Sequence, residues 1–447
     1  MVYVDFKKAI IVAGGQSSRM KMNIQKGCLN IGGRPNVEWH ALKLKEAGVR
    51  DIYVRVEHNS YDLVRVLGDG SRFRKNGEQF RIHYAYDEGV DIASGVYNIV
   101  FGKFKKDFEG GGKFLVTASD VGDPTFNWSD YIRQYLAVPE NIRRRTLGAV
   151  AFVARPIEDV VKKFPTAAMN DSDIITKTFD KPPSNLEEGK LIKTQVRNRH
   201  VDEFEKMTGL PGLPLPTFFY ILSKEALRGM SEMASELRRS EKDMDFYRHI
   251  FKLLPNKLLA LFLKEDIINR KLIRSYYDLN WPEMFYRANY QFIKTAYNVL
   301  AADHQLLDEL NSFVGFDVNF WRTPEGKIPN IRDSVFHKNS TIEENTIIEK
   351  SVIGSGSFIR KAIVRRSIIL PNTYINYEVN PANPEIIIED SIVGGAGEIF
   401  VDMRHNQDKP VIVNKKIVVP DERGSLTYHE LDIGGEDRDI CEEAFKK

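Results

Sequence analysis

The chain is poor in cysteine, in long apolar runs and in charge of one sign. It has 2 cysteines in 447 residues, so a disulfide framework is not expected, whereas a reducing compartment is. Its 64 basic residues nearly balance its 62 acidic ones, which argues against nucleic acid or a membrane surface as a partner. The N-terminal apolar run is short and interrupted by charge, and no run approaches membrane-spanning length. We therefore expect a cytoplasmic protein that binds neither nucleic acid nor a membrane.

The length of the chain predicts two or three domains. Residues 1–300 alternate apolar strands with amphipathic helices, which predicts an α/β, Rossmann-like domain with a mixed, mostly parallel sheet. Ligands of such sheets bind beyond the carboxyl ends of the strands. We assign 301–330 to a linker, 331–425 to a second domain and 426–447 to a charged tail.

The second domain carries apolar residues at a spacing near six. They are Ile342, Ile348, Ile353, Ile359, Val364, Ile369 and Ile375. This repeat is typical of a parallel β-helix, in which neighbouring coils bury one apolar column. The repeat predicts roughly four coils; an antiparallel sandwich is the alternative, although two-residue hairpin turns are scarce here.

The first forty residues contain the most informative local pattern. A buried strand ends in a loop rich in glycine and serine, whose backbone N–H groups can hold an anion. The predicted nucleotide-binding residues of this loop are Ala13, Gly14, Gly15, Ser17 and Ser18. Arg19 and Lys26 follow and can neutralise the anion. The loop lacks the Walker A spacing.

The segments AGGQSSRM, Lys26 and IGGRP resemble the signature of the sugar-1-phosphate nucleotidyltransferase family. With the C-terminal hexads, the chain looks most like glucose-1-phosphate adenylyltransferase. The resemblance implies a left-handed β-helix, oligomers formed through it, and Mg²⁺ as cofactor. It also implies that a nucleoside triphosphate and a sugar 1-phosphate form a nucleotide-sugar and pyrophosphate, with Arg19 and Lys26 as catalytic cations.

The same resemblance assigns the metal ligands. The strand FLVTASD ends at Asp120, which resembles the first metal ligand of the family, with Asp123 as the alternative. The segment SYYDLNWPEMFYRAN resembles a second family motif, in which Asp278 is the other ligand. Two carboxylates suffice because Mg²⁺ also takes oxygens from substrate phosphates.

Further positions follow from the resemblance for the sugar and the base. In FDKPP, Asp180 matches the residue that contacts sugar hydroxyls and Lys181 the one that holds the sugar phosphate. The segment YDEGVDIASGV stands where the family binds the base, which makes Gly89 and Ser94 nucleotide-binding candidates.

Three departures from the family leave alternatives open. The spacing from Arg19 to Lys26 is short and closer to that of cytidylyltransferases for sugar-alcohol phosphates, Gln25 replaces the proline before the lysine, and the base-binding segment is irregular. The alternatives are therefore a cytidylyl- or guanylyltransferase for another sugar or polyol phosphate, and a catalytically silent regulatory subunit of the same fold.

Overall fold

A computed structural model of the chain describes most of its residues. Within the described part, no helix is long and apolar enough to cross a membrane. The described residues are 6–13, 20, 25–57, 60–74, 77–86, 92–122, 126–161, 164–179, 183–196, 198–228, 256–263, 266–268, 271–273, 277–279, 282–295, 304–307, 312–315, 318–320, 329–343, 345–376, 385–394, 401–402, 411–420, 425–434, 438, 440–441 and 444.

The N-terminal part alternates strands and helices, as its apolar patterning predicts. Its strands are β1 (Lys8–Ala13), β2 (Asn30–Ile31), β3 (Arg34–Pro35), β4 (Asp51–Val56), β5 (Arg81–Tyr86), β6 (Lys113–Ala118), β7 (Val121–Gly122), β8 (Gly148–Pro156), β9 (Thr166–Met169), β10 (Ile175–Phe179), β11 (Gly212–Ser223), β12 (Leu258–Phe262), β13 (Asp266–Ile268), β14 (Lys271–Ile273) and β15 (Tyr277–Asp278).

The described residues form nine α-helices. They are α1 (Asn36–Glu46), α2 (Tyr61–Leu67), α3 (Ile92–Tyr97), α4 (Trp128–Ala137), α5 (Glu140–Arg145), α6 (Ile157–Val160), α7 (Leu186–Gln195), α8 (Arg199–Thr208) and α9 (Pro282–Thr295).

Seven strands form one central sheet in the order β12-β8-β11-β6-β1-β4-β5. The pairs β1–β4, β1–β6, β4–β5 and β8–β12 are parallel, whereas β11 runs antiparallel to β6 and β8. Separate apolar clusters pack on its two faces, one containing Ile10 and Val12 and the other Ala9 and Ile11. This burial on both faces explains the continuous apolar strands. The predicted α/β class with a mixed, mostly parallel sheet is confirmed.

The C-terminal strands stack into a parallel β-helix. They are β16 (His304–Leu307), β17 (Ser312–Gly315), β18 (Asn319–Phe320), β19 (Asn330–Arg332), β20 (Val335–Phe336), β21 (Thr341–Ile342), β22 (Ile347–Glu349), β23 (Val352–Ile353), β24 (Phe358–Ile359), β25 (Ala362–Arg365), β26 (Ile368–Ile369), β27 (Thr373–Ile375), β28 (Ile386–Glu389), β29 (Ile392–Val393), β30 (Val401–Asp402), β31 (Val411–Asn414), β32 (Lys416–Pro420) and β33 (Leu426–Glu430).

Every third strand from β17 to β32 pairs in parallel, which gives three sheets. Among the described residues two of these sheets have five strands each, so the described stack has five coils rather than the roughly four that the repeat predicts. The first coil begins with β17 and β18, which lie in the segment predicted as a linker, and β31 completes the fifth coil, on which β32 stacks. The hexad isoleucines and Val364 are buried, as predicted. Strand pairing does not define the hand of the coil, so the left-handed winding stays a prediction.

One corner of the stack contains a ladder of buried serines, which we call the serine ladder. Each backbone N–H donates to the serine hydroxyl one coil below, at 3.2 Å from Ser351 to Ser334, 3.2 Å from Ser367 to Ser351 and 3.1 Å from Ser391 to Ser367. The residue before each of these serines has a positive φ of 44° to 51°. The ladder thus satisfies N–H groups that the tight corner takes out of the strand pairing.

Helix α9 joins the two parts of the protein. Its Tyr286 hydroxyl donates to the carbonyl of Arg366 at 2.7 Å, and its Tyr290 hydroxyl donates to the carbonyl of Lys350 at 3.0 Å. Its other apolar residues share one core with Trp39 and Ile31 of the N-terminal part. Since Tyr286 and Tyr290 are buried, the two parts are held by core packing rather than by a polar surface contact.

The serine ladder makes a stability prediction. Ser367→Ala removes the acceptor of the Ser391 N–H and the donor to the Arg365 carbonyl, which Ser367 contacts at 2.7 Å. We expect the free energy of unfolding of the β-helix to fall by about 2 kcal/mol, because a buried N–H is left unsatisfied. Chemical unfolding measures it, with Ser172→Ala in an exposed turn as the control. Equal stability of the two variants would contradict the role given to the ladder.

Candidate active site

The predicted site residues divide into described and undescribed ones. Ala13 is the buried last residue of β1, and Ser94 lies on α3, with its side chain outside the description. The structure describes Lys26 and Asp120, and it describes the backbone of Asp278 in β15. Residues outside the description are Gly14, Gly15, Ser17, Ser18, Arg19, Gly89, Asp123, Asp180 and Lys181.

Lys26 and Asp120 meet beside the carboxyl end of β1. The Lys26 ammonium lies 3.6 Å from the Asp120 carboxylate, and the two side chains are 12% and 27% exposed. Ser119, which precedes the aspartate, donates its N–H to the Val12 carbonyl at 2.9 Å. The sheet register therefore places this carboxylate at the edge where the Gly- and Ser-rich loop begins, as expected for a parallel sheet.

Gln25 holds Lys26 in this position. Its amide nitrogen donates to the Ala13 carbonyl at 3.3 Å, and its amide oxygen accepts the Gly27 N–H at 2.8 Å. The side chain thus ties the end of β1 to the short 3₁₀ turn Lys26–Cys28. Where the family resemblance expects a proline with its fixed φ, the two hydrogen bonds of Gln25 hold the turn that carries the lysine.

Gly27 allows the lysine turn to approach the aspartate turn. A Cβ at Gly27 would lie 2.9 Å from the Ser119 Cβ, which is closer than two side chains tolerate. The next residue, Cys28, is not a nucleophile at neutral pH, since burial raises the pKa of its thiol to about 12 and the thiolate is the reactive form.

The turn that carries Asp120 is held by the first helix. The fully buried Asn36 amide donates to the Ser119 carbonyl at 2.8 Å and to the Val121 carbonyl at 2.7 Å. His40, one helical turn later, has Nε2 at 2.9 Å from the same Val121 carbonyl. A carbonyl only accepts, so the imidazole carries a proton on Nε2. Burial lowers the pKa of His40 to about 4, so the ring is neutral at physiological pH.

The backbone of Asp278 lies against the same turn. Strands β15 and β7 pair antiparallel, with Asp278 opposite Val121. Leu279 donates its N–H to the Asp120 carbonyl at 2.9 Å. The two predicted metal-ligand positions, 158 residues apart in the sequence, thus come together where β15 pairs with β7: Asp278 lies on β15, and Asp120 directly precedes β7.

The hairpin β2–β3 leads into Asn36 and contacts both parts of the protein. Its two-residue turn is Gly32–Gly33, with φ of 54° and 88°, which fits the turn that joins short antiparallel strands. A Cβ at Gly32 would lie 1.7 Å from Phe292 of α9, and one at Gly33 would lie 2.3 Å from His337 of the β-helix. The GGRP segment therefore needs glycine for its conformation and for its close packing.

The donor set fits Mg²⁺ better than a metal held by protein alone. Among the described residues, no group of three or more His, Cys, Asp or Glu side chains is arranged to hold a metal ion. Mg²⁺ commonly takes one or two carboxylates and completes its shell with water and substrate phosphates. Asp120, partly exposed and adjacent to the Asp278 strand, satisfies that requirement.

Sequence reasoning missed the residues that support the site. Asn36 and His40 lie four residues apart on an otherwise largely apolar helix face, and that spacing places them on one side of a helix. Two polar residues at this helical spacing directly after GGRP are the feature of the sequence that could have indicated their role in holding the turn. In the sequence Gln25 stands out only as a departure from the family proline. Its hydrogen bonds to Ala13 and Gly27 depend on the folded chain and are not evident from the order of the residues.

Comparison with known proteins matches the part of the chain that contains this site. Residues 9–126 match the family model of the MobA-like NTP transferase domain. This range includes the loop, Lys26 and Asp120, whereas Asp180, Lys181 and Asp278 lie outside it.

Two curated relatives are similar to the chain. N-acetylmuramate alpha-1-phosphate uridylyltransferase of Neisseria meningitidis serogroup B is 30% identical over 119 residues, which are 26% of this chain and 47% of that protein. The bifunctional protein GlmU of Staphylococcus haemolyticus is 33% identical over 79 residues, 18% of each chain. The chain thus spans less than half the length of each of these relatives. The predicted resemblance to sugar-phosphate nucleotidyltransferases is confirmed.

The buried imidazole makes the stability depend on pH. The pKa of His40 is lower in the folded protein, about 4, than the roughly 6.5 of an unfolded chain. The unfolded state therefore binds the proton first as the pH falls. The stability that depends on a neutral His40 is therefore fully present above pH ~6.5. It is lost progressively as the pH falls to about 4.

His40→Gln should remove this dependence while keeping a donor for the Val121 carbonyl. Between pH 7 and pH 4 we expect the native chain to lose about 3 kcal/mol more unfolding free energy than the variant. Urea unfolding at a series of pH values measures it. His429→Gln, which removes a half-buried imidazole on the outermost strand β33, is the control. Parallel pH curves for the native chain and His40→Gln would contradict the assignment.

Proposed function

We propose that the protein is a sugar-1-phosphate nucleotidyltransferase, because residues 9–126, which include Lys26 and Asp120, match the family model of the MobA-like NTP transferase domain. It joins a nucleoside triphosphate to a sugar 1-phosphate and releases pyrophosphate. The observation that carries this proposal is the meeting of Lys26 and Asp120, 3.6 Å apart at the carboxyl edge of the sheet. One cation and one carboxylate beside a Gly- and Ser-rich loop are what two reacting phosphate anions need.

The chain's own residues bind and orient the reactants. Lys26 is a compact donor that neutralises charge on the phosphate under attack. Asp120 and Asp278 would hold Mg²⁺, which supplies positive charge to the phosphate oxygens and the leaving pyrophosphate. The loop after Ala13 would offer backbone N–H groups to the triphosphate, and Arg19 would neutralise the leaving group. Asp180 and Lys181 would receive the sugar and its phosphate, and Gly89 and Ser94 the base.

Precise placement of the carboxylate is the task of the buried polar residues. Asn36, His40 and the Leu279 N–H bond three successive carbonyls of the Asp120 turn. Catalysis of phosphoryl transfer depends mainly on positioning and electrostatics, so a rigid turn contributes to the rate without touching a substrate.

The finer proposal is an adenylyl transfer to glucose 1-phosphate. It rests on the order of the N-terminal domain and the C-terminal β-helix, which resembles that of glucose-1-phosphate adenylyltransferase. The β-helix would then mediate homo-oligomers. The hydrogen bonds of Gln25 show that its departure from the family proline is compatible with a formed lysine turn.

Removing either charge should strongly reduce turnover with little effect on folding. For Lys26→Gln and Asp120→Asn we expect kcat for pyrophosphate release to fall by about 100-fold or more, the scale of a lost transition-state cation or metal ligand. The matched control is Lys190→Gln, because Lys190 pairs with Glu187 on the exposed face of α7. Circular dichroism checks that each variant folds. Unchanged turnover in Asp120→Asn would refute the assignment of the site.

A screen of four nucleoside triphosphates with Mg²⁺ against hexose and polyol phosphates tests the finer proposal. We expect the highest rate of pyrophosphate release with ATP and glucose 1-phosphate, and removal of Mg²⁺ by EDTA should stop it. A preference for CTP with a polyol phosphate would overturn the adenylyl assignment and retain the nucleotidyltransferase.

The silent regulatory subunit gives a different pattern in the same screen. Such a chain would be stabilised by a triphosphate and Mg²⁺ but would release no pyrophosphate with any acceptor. Thermal unfolding measured beside the activity assay separates the two functions. Turnover that depends on Asp120 excludes the silent subunit.

A further inference from the structure

A buried arginine lies near the carboxyl end of strand β4. Arg55 is the second-last residue of this strand, and its side chain is only 1% exposed. The residues on either side of it, Val54 and Val56, are buried and apolar. A charge at such a position costs free energy unless it is paired, and even a paired charge is often no more stable than an apolar side chain. Packing alone therefore does not explain an arginine here.

The charge of Arg55 is paired at the edge of the sheet that holds the candidate active site. Its guanidinium forms an ion pair with the carboxylate of Glu57, the first residue after β4, whose side chain is 23% exposed. In the sheet register Arg55 lies opposite Val12, one residue before Ala13. Neighbouring strands are about 4.8 Å apart, so the arginine lies beside the start of the Gly- and Ser-rich loop.

Helix α3 rests directly on the Arg55 side chain. A Cβ built at Gly95 of this helix would overlap it, and the three atoms nearest to that Cβ are Nε, Cδ and Cγ of Arg55. Gly95 does not have a positive φ, so the helix does not need glycine there for its conformation. Glycine inside a helix costs up to about 1 kcal/mol relative to alanine. What the position requires is space for the arginine.

Helix α3 also carries a candidate nucleotide-binding position. Ser94 directly precedes Gly95, and the chain continues after α3 as a π-helical segment, Asn98–Lys103. Buried residues of α3 and of this segment, among them Val96, share one core with Val12 of β1. The helix therefore packs firmly on the sheet, and the contact between Gly95 and Arg55 sets how closely Ser94 approaches β4.

Three features that are unfavourable on their own thus meet in one place. They are a buried charge, a glycine inside a helix and a π-helical segment, which is rare and occurs mostly at functional sites. An apolar residue in β4 packed against an alanine in α3 would fill the same space at a lower cost. Sequences depart from local rules chiefly where function requires it, which favours a functional reason for the pair of Arg55 and Gly95.

We propose that Arg55 is a positioning residue for the nucleoside triphosphate. It lies between β1, which leads into the loop for the phosphates, and α3, which belongs to the segment for the base. Its ion pair with Glu57 keeps the side chain from moving aside, so the arginine fixes the distance between the two segments. At 1% exposure it acts through them and does not touch the substrate. This role rests on the proposed function, which assigns both segments to the nucleotide.

Arg55→Met tests the proposal, because it keeps an apolar stem under α3 and removes the tie to Glu57. We expect the KM for ATP to rise about tenfold, the scale of a misplaced supporting group, while kcat and the KM for glucose 1-phosphate stay unchanged. Thermal stability should not fall, since an apolar side chain in place of a buried ion pair is often neutral or stabilising. Pyrophosphate release with each substrate varied in turn measures this.

The matched control is Arg133→Met, which breaks the exposed ion pair of Arg133 with Asp130 on α4 and should change neither KM. A purely structural role of Arg55 predicts a lower melting temperature and no difference between the two substrates. An unchanged KM for ATP in Arg55→Met, or an equal rise of both KM values, would overturn the proposal.

A second pair of variants approaches the same contact from the helix. Gly95→Ala adds the Cβ that overlaps Arg55, so it should weaken ATP binding even though alanine favours the helix. In an Arg55→Ala background the same Cβ has room, and Gly95→Ala should weaken binding no further. This non-additivity is expected only if the glycine acts through the arginine. Additive effects of the two changes would contradict the role of the contact.

Isothermal titration with ATP and Mg²⁺ measures the affinity in all these variants without turnover, so it separates the two hypotheses. If the native chain binds and turns over ATP and the variants bind it equally well, only the positioning role is wrong. If the native chain neither binds nor turns over any nucleoside triphosphate, the proposed function fails and the positioning role fails with it.

Discussion

The candidate site depends on one constraint, the fixing of three successive carbonyls around Asp120. The Ser119 and Val121 carbonyls accept from the Asn36 amide, and the Asp120 carbonyl accepts from Leu279. A turn at the end of a parallel strand has no sheet partner for these groups, and buried carbonyls without a donor cost about 1–3 kcal/mol each. The donors come from two distant segments: Asn36 of α1 and Leu279, the residue after β15. The backbone that carries the Asp120 carboxylate cannot shift without breaking bonds to two distant segments of the chain.

The same constraint links the two parts of the protein. Asn36 follows the GGRP hairpin, whose Gly32 and Gly33 pack against Phe292 of α9 and His337 of the β-helix. Leu279 and α9 come directly after β15, and α9 is bonded to the β-helix through its two buried tyrosines. A displacement of the β-helix would therefore act on both segments that hold the Asp120 turn. The β-helix is therefore a structural support of the site.

The sequence predicts those features that depend on local periodicity. The apolar runs predict β1, β4 and β6, and the hexads predict buried positions from Ile342 onwards, because two-face burial and coil stacking leave regular patterns. His304–Leu307 forms β16 and pairs with β17, although the residues that follow Trp281 have a helical pattern up to about residue 310; strand pairing overrides a weak local pattern there. Partners far apart in sequence are not predictable in this way. The pairing of Asp278 with Val121 and the two bonds of Gln25 arise from tertiary packing, and only a family resemblance pointed to the first of them.

Overall charge conceals how the cations are arranged. The totals of 64 basic and 62 acidic residues argue against a polyanion such as nucleic acid as a partner, yet they say nothing of small anions, which are recognised within a few ångströms. In this fold the strand directions decide which cations meet. The parallel strands carry Lys26 to an edge where a carboxylate faces it at 3.6 Å, whereas the one reversed strand, β11, adds Lys224 to an edge where Lys8 and Lys113 already stand. A single antiparallel strand thus changes which residues stand at the amino edge of the sheet, and the two edges of the sheet differ in the charged groups that they bring together.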